Sequence, residues 1–250
     1  MKRALSAIFI ALLWAGCCCF SEDHRPTEAG WLLFSYADGS LEADREAARR
    51  VAGLDAYCRQ TTPEGKAEVR EAFFPNELIV GDAGFWRIVL DTGVWTFDMR
   101  DGKLLDEPDA RWRVEWSQAG TQMTFTVLPD GEDRWMMHAD GVDGRFAVSS
   151  VTEVRVNGSI AQPLLSFVAG HGLCRGRAVP CLQVEYAIET PVEYLGQKGM
   201  PLYGGSLTIR SHNDAEDADD VAEALYVGNG RVEITYCGVT RIWEKENPLW

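Results

Sequence analysis

The chain has 250 residues, with 24 basic against 38 acidic side chains, a formal net charge of −14, and 46% hydrophobic and 25% charged residues. That composition belongs to a globular protein rather than a disordered one. The acidic balance makes the chain a poor candidate for nonspecific nucleic-acid binding, which needs clustered Lys and Arg against phosphates, and for peripheral attachment to anionic lipid.

At the N-terminus, Lys2 and Arg3 precede the charge-free apolar run Ala4 to Gly16. A bilayer needs about 20 apolar residues, so this run is too short to span one. Residues 1–16 read as a signal peptide. The Ala15-Gly16-Cys17 sequence that follows resembles the lipobox of bacterial lipoproteins, in which signal peptidase II cleaves before a cysteine that receives lipid. Trp14 departs from that pattern, where the family carries Leu, Val or Ile, and Cys18 and Cys19 stand beside the acceptor. The resemblance implies that Cys17 is the lipid acceptor and that the protein resides in the bacterial cell envelope, periplasmic or on the outer surface. Its partner there is the membrane, held through several acyl chains, because a single chain holds only marginally. Residues 17–30 are then the attachment point and a tether, with Ser21 to Gly30 polar and containing Pro26. Loss of residues 1–16 leaves 22 basic against 38 acidic side chains, or −16.

Residues 31–76 read as a helical segment. Leu41 to Arg59 has Ala47, Ala48, Val51, Leu54 and Cys58 at helical spacing, with Ser40 as a cap. Glu42, Asp44, Glu46, Arg49 and Arg50 are expected to face water. Thr62-Pro63 opens a second helix that ends before Pro75.

Residues 77–250 read as one antiparallel β domain. Trp112, Val114 and Trp116 alternate with polar residues, as do Met123, Phe125 and Val127, then Leu182 to Ile188, Leu207 to Ile209, and Val232 to Tyr236. Asp101-Gly102, Asp130-Gly131, Asn157-Gly158 and Asn229-Gly230 supply hairpin turns. The connections are too short for crossover helices, so the fold class is mostly β. The expected form is a meander of ten to twelve strands forming a barrel or a two-sheet sandwich. The pattern is similar to small tryptophan-rich lipoproteins of Bacteroidetes-type bacteria, a resemblance that implies no activity.

Past the N-terminal cluster, Cys58, Cys174, Cys181 and Cys237 form an even set in an exported chain, which points to disulfides. A local Cys174–Cys181 bridge would leave Cys58 with Cys237; four free thiols are the alternative. His171, Cys174 and Cys181 lack a fourth ligand for zinc. The run Asn213 to Asp220 lacks the spacing and glycine of a calcium loop and is expected to lead into a short helix from Val221 to Tyr226. No metal or other cofactor is therefore expected. Trp86, Trp95, Trp112, Trp116 and Trp135 fit a core, or a face that stacks on sugars. No nucleophile elbow, His-Glu-x-x-His or phosphate loop occurs, so no catalytic residue is assigned and no enzyme is expected. The expectation is a lipid-anchored binding or interaction module with a protein or glycan partner. A lipocalin-like carrier is its rival, to be told apart by whether the interior is filled.

Overall fold

The computed structural model describes residues 26–131, 133–144, 146–158, 163–176, 183–195, 204–213, 218–228 and 230–244. Two helices, α1 (Pro26–Arg59) and α2 (Pro63–Phe73), precede fourteen strands. These are β1 (Leu78–Asp82), β2 (Phe85–Val89), β3 (Gly93–Met99), β4 (Trp112–Gln118), β5 (Thr121–Pro129), β6 (Arg134–Asp143) and β7 (Phe146–Gly158). They continue as β8 (Pro163–Gly176), β9 (Gln183–Thr190), β10 (Val192–Leu195), β11 (Ser206–Asn213), β12 (Ala218–Gly228), β13 (Arg231–Tyr236) and β14 (Val239–Glu244).

All fourteen strands lie in one antiparallel sheet, ordered as in the chain except that β10 leaves the path and pairs with β8. β9 pairs with the second half of β8 and β10 with its first half. Val168 is the extra residue of a bulge in β8 at that change of partner. Among the described residues the sheet runs from β1 to β14 and is not closed, so the expected mostly β, antiparallel fold is present as one sheet of fourteen strands.

The inward rows build the core. Phe97, Val114, Phe125 and Ala139 stand opposite one another across β3 to β6 and are all buried. In the neighbouring row Trp95 stacks on Trp116, with ring centroids 4.9 Å apart. α1 packs against the inward side of β6 to β9 and β11 to β14. Trp31 near one end of α1 stacks on Trp243 of β14 at 4.8 Å, and Tyr57 near the other end meets Trp86 of β2 edge-on at 5.8 Å. The sheet thus wraps the helix. Gly172 permits close approach, since a Cβ there would lie 2.3 Å from the Tyr186 ring on β9.

The second helix starts as expected: Thr62 Oγ1 accepts from the Gly65 amide at 3.1 Å, and Pro63 follows it. The first differs. It begins at Pro26, so the end of the stretch expected as a tether is helical, and Ser40 lies inside the helix rather than capping it. Asp44, Arg49 and Arg50 do not face water but are buried, because sheet or helix covers α1 on nearly every side. The segment Val221 to Tyr226 is part of β12, not a helix.

Buried charge on α1 is met by partners. Arg50, 1% exposed, donates to Glu46 Oε1 at 2.8 Å and with two nitrogens to the Glu77 carboxylate just before β1. Arg49 forms a fork on Glu46 and donates to the Phe73 carbonyl at the end of α2. Burial works to raise the Glu46 carboxyl, but Arg49 and Arg50 outweigh it and hold it at about 2. Replacing one member strands the others in a low-dielectric site. Arg50→Met is therefore expected to lower unfolding free energy by about 3–5 kcal/mol in urea titration, a loss typical of a broken buried pair.

Candidate functional site

Three buried polar contacts fix α1 within the sheet. Tyr226 of β12 donates to Asp38 Oδ1 at 2.9 Å, Ser40 and Tyr186 of β9 lie 3.4 Å apart, and Ser150 of β7 bonds both Asp44 oxygens at 2.9 and 2.7 Å. Burial pushes the Asp44 carboxyl up to about 7, partly offset by hydrogen bonds from Ser150 and Tyr186. Burial and the nearby Asp44 raise Tyr186 well above the ordinary phenol range. A perturbed acid in a cleft is a functional-site signal. Here Asp44, Ser150 and Tyr186 are 0%, 4% and 3% exposed and lie beneath the sheet, so their geometry is that of an internal fastening rather than of a site open to reactants.

The inward side of the sheet, where a carrier would hold its ligand, is packed with Phe34, Leu41, Val51 and Leu54 of α1. The accessible depression lies on the other side. On the outward face of β3 to β6, a hollow of 720 Å³ is walled by Arg100, Arg111, Arg113 and His138, with Asp98 and Asp140 at its margin. Its floor follows from side-chain length: Thr124 and Thr126 on β5 are short and half-buried, Thr126 lying between Arg113 and His138 and Thr124 between Glu115 and Asp140. Register places Asp98, Arg113, Thr126 and His138 in one line across the four strands. The Arg100 amide donates to the Arg111 carbonyl at 3.0 Å, which sets those two side chains at the next level. Arg113 pairs with Glu115 at 2.7 Å; among the described residues Arg100 and Arg111 have no ion-pair partner. A second hollow, of 410 Å³, lies beside the turn between α1 and α2, where Lys66 sits 5.3 Å above the Tyr57 ring.

Among the described residues, the cysteines, histidine and acids singled out in the sequence form no shared site. Cys17 lies outside the described residues, as do the leader, Cys181, Asp214, Glu216 and Asp217. Cys58, Cys174 and Cys237 are free thiols. The Cys58–Cys237 bridge is ruled out by distance. Gly30 of α1 abuts Tyr236, next to Cys237, while Cys58 is 28 residues further along the same helix. At about 1.5 Å per residue this separates the two by roughly 40 Å, far beyond disulfide reach. On β8, His171 is exposed and Cys174 buried, so they face opposite sides and do not share a metal. Among the described residues no group of three or more His, Cys, Asp or Glu is placed to hold a metal ion. Asp220 accepts from Tyr236 at 2.8 Å. Trp95, Trp112 and Trp135 are buried and Trp86 and Trp116 half-buried against the core, the first of the two placements expected for these tryptophans.

Sequence reasoning missed the outward hollow. Its signal was present in the polar positions of the strands, but Arg113, Thr126 and His138 are 25 residues apart in the chain and only register aligns them. No protein-family model, curated protein or solved structure matches this chain.

Two outcomes follow from the buried groups. The folded chain keeps the Asp44 proton up to about pH 7, whereas a carboxyl of ordinary value 3.8 has released it when unfolded. Stability therefore falls as pH rises from about 4 to about 7 and then levels. Melting curves across that range are expected to show the decline, and Asp44→Asn to flatten it. For the thiols, burial pushes Cys58 and Cys174 up to about 11, while Cys237 is exposed in the β13–β14 turn. Peptide mapping after brief iodoacetamide treatment at pH 8 should find Cys237 labelled before both.

Proposed function

We propose that this chain is an exported, lipid-anchored binding module of the bacterial cell envelope that works without catalysis and meets its ligand on the outward face of its sheet. One observation carries the reading of the face: the inward side is occupied by the protein's own helix, which leaves the hollow over β5 as the larger surface depression described. The anchoring rests on Lys2, Arg3, the apolar run Ala4 to Gly16, and Ala15-Gly16-Cys17. No helix among the described residues is long and apolar enough to cross a membrane. Attachment through acyl chains on Cys17 needs none. The net charge of −16 that remains after residue 16 keeps such a domain solvated and away from anionic headgroups, apart from local basic sites.

Fractionation of cells making the wild-type and Cys17→Ala proteins tests the anchor. The wild type is expected in the membrane fraction, with an intact mass showing cleavage before Cys17 and added acyl chains, and the variant in the soluble fraction. Membrane association that survives the substitution would overturn the reading.

A further inference from the structure

We infer that the hollow on the outward face of β3 to β6 binds a hydroxyl-bearing phosphate monoester, with Arg100 and Arg111 taking the phosphate. The inference rests on the reading of this face as the ligand surface, and it is independent of the lipid anchor.

The first argument is electrostatic. Within the hollow, Arg113 is already matched by Glu115 at 2.7 Å. Among the described residues Arg100 and Arg111 have no ion-pair partner, and they are neighbours across the start of β4. Like charges on facing positions repel, so the folded chain sustains a local electrostatic cost that an anion between them would remove. Two guanidinium forks give the directional donors that match phosphate oxygens, and Arg is preferred for that geometry over a point charge.

The second argument is the composition of the rest of the hollow. Thr124 and Thr126 offer hydroxyls at the floor, His138 offers a ring nitrogen, and Asp98 and Asp140 offer acceptors at the margin. No Trp, Tyr or Phe lines it. Carboxylates repel a second anionic group but accept hydrogen bonds from hydroxyls. A ligand that meets all of these groups therefore has one anionic end and a neutral polyol body. The volume of 720 Å³ exceeds what a bare phosphate fills and lies in the usual range of small-molecule sites, about 300–1,000 Å³. The phosphate can belong to a free metabolite or to a lipid headgroup; the chemistry at the arginines is the same.

The test is calorimetric titration of the full chain at low ionic strength with glycerol 3-phosphate, with glycerol alone as the neutral comparator. One molecule of glycerol 3-phosphate is expected per chain, weakened by added salt, and glycerol alone is expected to give no heat. In the double variant Arg100→Gln/Arg111→Gln, Kd is expected to rise at least tenfold with the melting temperature not lowered, since both side chains are exposed and their mutual repulsion is removed. Thr126→Val, which leaves the arginines in place, is expected to weaken glycerol 3-phosphate more than inorganic phosphate.

A second arm uses the full chain carrying Cys17→Ala, so that no acyl group carries it to membranes. It is sedimented with vesicles of phosphatidylcholine with or without phosphatidic acid. Arginine-dependent sedimentation only with phosphatidic acid assigns the phosphate to a headgroup; binding of the free probe alone assigns it to a soluble ligand. No binding in either arm, or binding that the double variant leaves unchanged, overturns the inference. Amide-exchange protection of β3 to β6 by a neutral sugar, without protection by glycerol 3-phosphate, would also overturn it while leaving the outward face as the ligand surface.

Discussion

Enclosing a polar helix inside a curved sheet is the constraint on which the rest of this structure depends. α1 carries Asp38, Asp44, Arg49, Arg50 and Asp55 into positions below a tenth exposed. A charge taken out of water needs a partner with good geometry, or its desolvation goes uncompensated. Each of these residues has such a partner, or shares one with its neighbours. The Arg49–Arg50–Glu46–Glu77 group ties the helix to the end of α2 and the entry to β1, and Asp55 accepts from the Leu105 amide at 3.0 Å in the loop after β3. Asp38, Ser40 and Asp44 hold it to β12, β9 and β7. Hydrophobic packing alone allows a helix to slide or rotate in a groove. Hydrogen bonds spread along its length to several strands select one position.

That enclosure decides where ligands can be met. An open sheet curled around its own helix has its concave side filled, so chemistry with other molecules moves to the outward side. There, the alternation of strand side chains turns outward a set that the core did not select. On β5 it turned out two threonines, and on the adjoining strands and turn Arg100, Arg111, Arg113 and His138. Short side chains beneath long ones make a hollow on a face that would otherwise be flat. The same sheet leaves Leu78 and Val80 of β1 and Ile242 of β14 exposed at its two edges.

The acidic surplus acts differently inside and outside. Within α1, carboxylates neutralise arginines at spacings of three and four residues, so that the buried Arg49, Arg50 and Asp55 each keep an opposite charge in contact. On the outward face, Arg113 is matched by Glu115, while among the described residues the adjacent Arg100 and Arg111 have no ion-pair partner.

Much of the fold was legible from local pattern. Period-two alternation marked β4, β5, β9, β11 and β13, Thr62-Pro63 marked the start of α2, and Asp130-Gly131 marked a reversal of chain direction. Those signals are local because strand pleat, turn dihedrals and capping bonds involve residues close in sequence. The environment of α1 was not legible. Its hydrophobic spacing describes one buried face, and Asp44, Arg49 and Arg50 look like part of a solvated one; only the sheet and α2 packing around the helix make them interior. Nor was the disulfide pairing legible, since an even cysteine count says nothing of the roughly 40 Å of helix between Cys58 and the neighbourhood of Cys237. The outward hollow was hidden for the same reason: residues on four strands become neighbours through register, a property of pairs of strands that no single strand encodes. The sequence by itself determined strand character, turn positions, charge balance and the lipobox-like start. Tertiary structure alone decided which charges were buried, which cysteines were apart, and which outward side chains met over β5, because each of those depends on contacts between segments far apart in the chain.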